Sequence, residues 1–521
     1  MDISKLVNFG VLTSFKDVFK EDEKASFYLN SDFDYIDALL LSLMSFDEKE
    51  KDNVWMWSQM FFSGDVEALH HINNTKPFNR RGRLIAWKFL LANLNVSQND
   101  NFDFDTHFLK IYKTLLAVND RKNDELNVEH EFINGFIFNY RDNYLSQCYR
   151  SSLIFLEKLD RNVVERFHDS FGITLKDYCE VLHYIIVYYK NNFTVKCVPK
   201  VVVSNVFLDI NKVCDFYHVD RAILEKVMNV ISFDVEDGMA FSRENIQDDY
   251  AFSLFRDKPF IKMYEGCYLP IDGKLVEDLM FNNLFYKIKD LYCDGDVSFL
   301  NHFGEVFESY IQGITSSEAM NSVINKYTVI PEFSYKYKKN TLKSPDILIY
   351  NENEKSLIVI EIKSSKYLGG VIESNNNIES IDASLDKIAI KPWGQAVKSL
   401  GRLREVKASE YVNDAEMVIF VAVSMNDFPM LWNKFEIKDE EGVNLTNIFF
   451  SMGVEAYENL VELLSLDVKL SLYQILSAYK GVKDEMSIKT YLARLKQKNM
   501  RDTNPFREKV KYSTINTFFL K

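Results

Sequence analysis

The sequence predicts a mixed architecture: a helical N-terminal domain, an α/β core and a helical C-terminal extension. Three observations predict it. Residues 1 to about 255 show repeated 3.6-period apolar patterns between short polar stretches, without a fixed-period repeat. The stretch from about 295 to 425 then changes character and orders itself as helix, three strands, helix, strand. From Gly453 onward the helical period returns. The expected boundaries are 1–255 for the helical domain, 256–294 for a connecting segment, 295–450 for the α/β core and 451–521 for the extension.

Each element has a local reason. Thr174, with Asp177 three residues on, signals a helix start, and Tyr178, Val181, Leu182, Ile185 and Ile186 then form an apolar stripe. Asp209 to Ser232 has the spacing of two short helices around Phe216-Tyr-His-Val-Asp220, reminiscent of a helix-turn-helix. Its second helix offers few side chains suited to base edges, so packing is the better reading. Val297 to Gln312 reads as a helix whose buried side is Phe299, Leu300, Phe303, Val306, Phe307 and Tyr310. Strand-like segments follow near 324–337, 345–350 and 357–364, a helix near 392–406 and an apolar strand at 416–424. Three C-terminal helices are expected near 453–465, 469–480 and 487–498. From Lys480 to Lys521 eleven Lys/Arg stand against four acids, which suits a solvated helix face as well as a phosphate-binding surface.

Composition narrows the class. The chain has 521 residues, 47% apolar and 26% charged, which describes a folded protein with room for more than one core. Only 18 Gly and 9 Pro leave little material for the turns of an all-β protein. A net charge of −14 confines any nucleic-acid surface to a local basic region. The longest apolar runs fall far short of the roughly 20 residues a bilayer span needs, so no membrane partner is expected. The N-terminal residues lack the pattern of an export signal, and the six scattered cysteines lack CxxC spacing. Both suit a cytoplasmic protein with reduced thiols. Phosphate-loop, HExxH, GxSxG and EF-hand patterns are absent, and adjacent His70 and His71 cannot share a helix face.

The chemistry concentrates in Ser344-Pro-Asp-Ile-Leu-Ile-Tyr350, a polar turn, and Leu357-Ile-Val-Ile-Glu-Ile-Lys363. Two apolar runs around a six-residue turn form a β-hairpin. Centring the turn between Asn353 and Glu354 sets Tyr350 against Leu357, Leu348 against Val359 and Asp346 against Glu361. Opposed carboxylates repel unless something positive lies between them. Lys363 shares the face of Glu361, and a divalent cation on Asp346 and Glu361 resolves the repulsion. A salt bridge from Lys363 to either acid is the alternative.

Pro345-Asp346 followed by Glu361-Ile362-Lys363 on such a hairpin resembles the PD-(D/E)xK nuclease superfamily, and the segment 295–425 resembles its restriction-endonuclease-like fold. The resemblance implies Mg²⁺ or Mn²⁺ held by Asp346, Glu361 and the backbone carbonyl of Ile362. It implies Lys363 as the residue that orients the attacking water or stabilises the transition state, and a helix glutamate completing the metal shell. Phe303-Gly-Glu-Val-Phe-Glu-Ser-Tyr310 offers two glutamates. Glu308 is preferred to Glu305, because Gly304 lies four residues before it and permits close backbone approach on that face. The implied activity is metal-dependent hydrolysis of phosphodiester bonds by an endonuclease or exonuclease, in DNA rather than RNA, in a setting of bacterial defence against phage or foreign DNA. Gln395 resembles a glutamine of the exonuclease-like branches, but position 399 is Ser where those carry tyrosine. Lys336, Lys338, Lys339 and Lys343, interleaved with Tyr335 and Tyr337, either grip nucleic-acid phosphates or solvate an edge strand. A competing function is a catalytically silent nucleic-acid-binding or scaffold protein, and the sequence leaves open a partner subunit or self-association.

Overall fold

The computed structural model describes residues 15–19, 25–46, 64–74, 79–95, 103–121, 142–192, 207–293, 295–366, 378–427, 448–466, 468–483, 486–499, 506, 508–511 and 517. The chain is of mixed α and β structure and divides into two compact units. One comprises residues 1–151, 161–293 and 373–376; the other comprises 152–160, 294–372 and 377–521. Among the described residues no helix is long and apolar enough to cross a membrane.

In the first unit, helices α1 (Tyr35–Phe46), α2 (Arg80–Ala92), α3 (Phe104–Asn119) and α4 (Leu175–Asn192) supply a large share of the core. The start of α4 follows the sequence signal: the Asp177 amide donates to Thr174 Oγ1 at 3.0 Å, and all five stripe residues are buried. Ile210–Tyr217 and Arg221–Ile231 are two helices turning at His218, whose φ of 55° is left-handed. Leu224, Val227, Met228 and Ile231 of the second are buried, so its apolar face is spent on packing.

This unit also holds a four-stranded sheet that periodicity did not reveal. Strands β1 (Leu208–Asp209), β2 (Ser232–Asp234), β3 (Phe260–Tyr264) and β4 (Cys267–Pro270) lie in the order β1-β4-β3-β2. The first two are too short to display alternation. The β3–β4 hairpin turns at Glu265-Gly266, where Gly266 takes a φ of 73°. Of the six cysteines, Cys197 lies outside the described residues and the other five are free thiols.

The second unit is built on a five-stranded sheet. Its strands are β5 (Tyr327–Pro331), β8 (Ile347–Asn351), β9 (Ser356–Lys363), β10 (Met417–Ser424) and β11 (Phe449–Gly453), in the order β11-β10-β9-β8-β5. A separate hairpin, β6 (Ser334–Tyr337) and β7 (Asn340–Lys343), interrupts the chain between β5 and β8. Strands β5, β8 and β9 run antiparallel in succession, whereas β9, β10 and β11 are parallel. Both β8 and β9 are buried nearly throughout, which is why they read as continuous apolar runs.

Helix α5 (Ser298–Ala319) precedes the sheet, and α6 (Lys391–Glu405) connects β9 to β10 as a parallel pair requires. Both helices pack on β9. Trp393 of α6 is buried and donates from Nε1 to the Phe450 carbonyl at 3.0 Å, joining the crossover helix to β11. On α5, Phe299, Phe303, Val306, Phe307 and Tyr310 are buried as the spacing predicts. Leu300 is instead exposed, because it stands at the margin of the stripe on the first turn. Residues 152–160 belong to this unit: Phe155 stacks on Phe303 with ring centroids 5.9 Å apart, and Lys158 donates to Ser309 Oγ at 2.8 Å.

Periodicity predicts no strand at β11, because its five residues merge in sequence with the helix that follows. That helix, α7 (Val454–Ser465), is buried along its whole length, and α8 (Leu472–Tyr479) and α9 (Ile488–Lys498) follow. The basic tail is partly spent inside the unit. Lys489 pairs with Glu455 at 3.0 Å, Lys496 with Glu462 at 2.6 Å and Lys509 with Glu318 at 2.5 Å, and all three glutamates are buried.

Candidate functional site

The hairpin register is the one that a turn centred between Asn353 and Glu354 imposes. Tyr350 pairs with Leu357, Leu348 with Val359 and Ile347 with Ile360. Asp346, one residue before β8, therefore arrives beside Glu361. The Ile362 amide donates to Asp346 Oδ2 at 2.6 Å, fixing that carboxylate against the strand. In an extended strand the N–H and C=O of one residue point the same way, so the Ile362 carbonyl also faces the Asp346 side.

Both acids are removed from water: Asp346 is 8% exposed and Glu361 1%. Lys363 Nζ stands 3.6 Å from Glu361 Oε2, within ion-pair reach but longer than a hydrogen bond. Among the described residues neither oxygen of Glu361 has a hydrogen-bond donor. Burial raises the Glu361 pKa to about 8, with the Asp346 charge adding to the rise and Lys363 opposing it. Burial also raises Asp346, against the Ile362 amide and Lys363.

Helix α5 brings the third carboxylate. Glu308 is half-buried, and its pKa is raised first by burial and then by the charges of Asp346 and Glu332. Gln312, one turn on, donates to Glu308 Oε1 at 3.2 Å and to the Asp346 carbonyl at 3.4 Å, so one amide ties the helix acid to the strand acid. Glu305 points to solvent. Gly304 lies beside the end of β9, where an added Cβ would meet Ser364 Oγ at 3.4 Å, an ordinary contact that does not demand glycine.

The structure also adds a residue without a sequence motif. Pro331 pairs with Ile347, so Glu332 comes alongside Asp346 on the adjoining chain. Its charge raises the pKa of Glu308, Asp346 and Glu361 alike. Nothing in the spacing marks a lone glutamate after a proline; only the β5–β8 register does.

The remaining candidates divide. Lys343 is close enough to Glu308 and Asp346 to influence both, and it pairs with Glu332 at 2.7 Å. Lys336, Lys338 and Lys339 are exposed on the β6–β7 hairpin, where Lys338 takes a left-handed φ of 55° at the turn. This hairpin leans on α6 through Tyr337, which donates to Glu405 Oε2 at 2.8 Å. Gln395 is exposed on α6. Ser399, one turn later, donates to the Lys343 carbonyl at 3.3 Å and so backs the approach to Asp346.

A second acidic group lies in the first unit. Asp34, Asp37 and His107 converge, with Asp37 Oδ1 2.9 Å from His107 Nδ1. Asp37 Oδ2 already takes Lys110 Nζ at 2.6 Å and the Asp34 amide at 3.0 Å, while Asp34 Oδ1 caps α1. Its acceptors are occupied by the protein's own donors, unlike those of Glu361.

The donor set around Glu361 suits a hard divalent cation: carboxylate oxygens, a carbonyl on the same side and a buried acid with no hydrogen-bond donor among the described residues. Asp346, Glu361 and the Ile362 carbonyl are the groups able to hold it; Glu308 stands further off, since among the described residues the three carboxylates do not close into one cluster at ligand spacing. Comparison with models of protein families, with curated proteins and with solved structures yields no match.

Proposed function

We propose that the chain is a metal-dependent nuclease with a restriction-endonuclease-like core, acting on DNA in preference to RNA. The observation that carries this is the pairing of buried Asp346 and Glu361 on adjacent strands, with Lys363 beside them and both Glu361 oxygens lacking a hydrogen-bond donor among the described residues. A buried carboxylate without partners is costly, and a divalent cation removes that cost. The order helix, three antiparallel strands, crossover helix and parallel strand also supports the reading.

Mg²⁺ or Mn²⁺ held by Asp346, Glu361 and the Ile362 carbonyl, with Glu308 completing the shell directly or through water, would supply Lewis-acid polarisation of a phosphate and a more acidic water. The chain's own residues do the rest. The Ile362 amide and Gln312 hold Asp346 and Glu308 in place. Lys363, 31% exposed at its side chain, reaches from the buried acids toward solvent and offers positive charge where the pentacoordinate phosphorus gains negative charge. The first unit is assigned substrate selection, partner docking or restraint of the nuclease, and bacterial defence against foreign DNA is the proposed setting.

The test is cleavage of plasmid, linear duplex, single-stranded DNA and RNA with Mg²⁺, Mn²⁺ or EDTA, comparing wild type with Lys363→Ala and Asp346→Ala. Metal-dependent cutting abolished by both substitutions supports the assignment. Nucleic-acid binding without cutting under any metal, with or without candidate partners, overturns it in favour of a silent binding protein.

A further inference from the structure

Lys343 stands at the edge of the carboxylate group with its charge already matched. Its Nζ lies 2.7 Å from Glu332 Oε2, and the two side chains differ sharply in exposure, 72% for the lysine and 23% for the glutamate. The ammonium faces solvent while the carboxylate is tucked toward the other acids. The backbone holds this pairing in place: the Phe333 amide donates to Ser344 Oγ at 2.9 Å, and the Ser344 amide donates to the Phe333 carbonyl at 2.9 Å. Glu332 and Lys343 therefore flank a fixed crossing of two chain segments, three residues before Asp346. By contrast, Lys336, Lys338 and Lys339 form no ion pair among the described residues. The one lysine of the four beside the acids is the one with an acidic partner.

An exposed ion pair is weak and is readily exchanged for a better-hydrogen-bonded anion. A phosphodiester offers Lys343 charge-assisted bonds of the kind that replaces such a partner. Its approach to Glu308, Asp346 and Glu361 is otherwise opposed by their charges, to which Glu332 adds one more.

We infer that Lys343 is the phosphate contact of this site and that Glu332 is its built-in competitor, displaced from the lysine when nucleic acid binds. Glu332 is thus a residue that sets affinity and its salt dependence. The inference rests on the nuclease reading above and adds to it a counter-ion exchange specific to this chain.

The experiment is fluorescence anisotropy of labelled duplex and single-stranded DNA with Ca²⁺ in place of Mg²⁺, over a series of salt concentrations. Wild type is compared with Glu332→Gln, Lys343→Gln and the double variant, each checked for folding by thermal melting. Glu332→Gln is expected to bind about fivefold more tightly. Its log–log salt slope should steepen by about 0.9, one phosphate contact. The gain should vanish in the double variant. Glu332→Ala gives the same reading if the glutamine variant does not fold. Unchanged or weaker binding by the Glu332 variants, or a gain that survives removal of Lys343, overturns the inference while leaving the nuclease assignment intact. Absence of nucleic-acid binding by wild type overturns both.

Discussion

Gln312 donates its side-chain amide to Glu308 at 3.2 Å while the same nitrogen reaches the carbonyl of Asp346 at 3.4 Å. One residue thereby links a helix carboxylate to the backbone of the strand acid. Partners of this kind change metal affinity by about 10- to 100-fold when removed from other sites. Gln312→Leu should raise the half-saturating Mg²⁺ concentration for cleavage by an amount in that range and leave the rate at saturating metal much less affected. A titration of rate against Mg²⁺ checks it; an equal loss at every concentration would indicate damage to the fold.

The buried acids make stability depend on pH in a direction opposite to that of ordinary surface carboxylates. Glu361 has a folded pKa of about 8 against its ordinary 4.5, so between these values the folded chain holds a proton that the unfolded chain has released. Stability from this group is complete below the lower value and is lost as pH rises through the higher one. In EDTA the melting temperature should fall between pH 5 and 8, and Glu361→Gln should flatten the slope. Metal binding displaces that proton, so Mg²⁺ affinity should rise over the same interval. Calorimetry in buffers of different ionisation enthalpy measures the release.

Gly453 ends β11 where the chain passes Asn426 and Asp427. A Cβ there would come within 2.4 Å of the Asp427 nitrogen and 2.7 Å of the Asn426 carbonyl carbon, both backbone atoms that cannot swing aside. Gly453→Ala should destabilise the protein by about 1–3 kcal/mol, the usual cost of overpacking. Urea denaturation checks it, and an unchanged midpoint would show that the crossing loosens freely.

Lys496 donates to both Glu462 and Asn459 from the last turn of α9. Removing one partner of a hydrogen-bonded charge whose mate is buried costs about 1–3 kcal/mol. Lys496→Met should therefore lower stability in that range and admit protease to the C-terminal segment, read by limited proteolysis. Equal protection in the variant would show that α9 is held by its apolar face alone.

The parts visible in the sequence are those with strong local rules. The β8–β9 pairing follows from one polar turn between two apolar runs, and the α4 start follows from Thr174 and Asp177. Glu332 and Ser399 are not legible in the sequence as site neighbours, because Glu332 comes alongside Asp346 through strand pairing and Ser399 reaches the Lys343 carbonyl through packing of a distant helix. Strands β1 and β2 span two and three residues, less than one reading of a period-2 pattern. The lysines of the tail looked free because their partners, Glu455, Glu462 and Glu318, sit on helices whose burial no local composition announces.

The nine residues from Ser152 to Asp160 reach the second unit from within the first half of the chain, where Phe155 lies against Phe303 on the helix that carries Glu308. The unit bearing the carboxylates is thus not a cassette in the gene. A single crossover near residue 294 would hand a recipient the helix without its aromatic neighbour. Shuffling of this module between proteins requires either two exchanges or a substitute for that short insertion, and a fragment beginning at residue 295 should express as a less stable protein than its length implies.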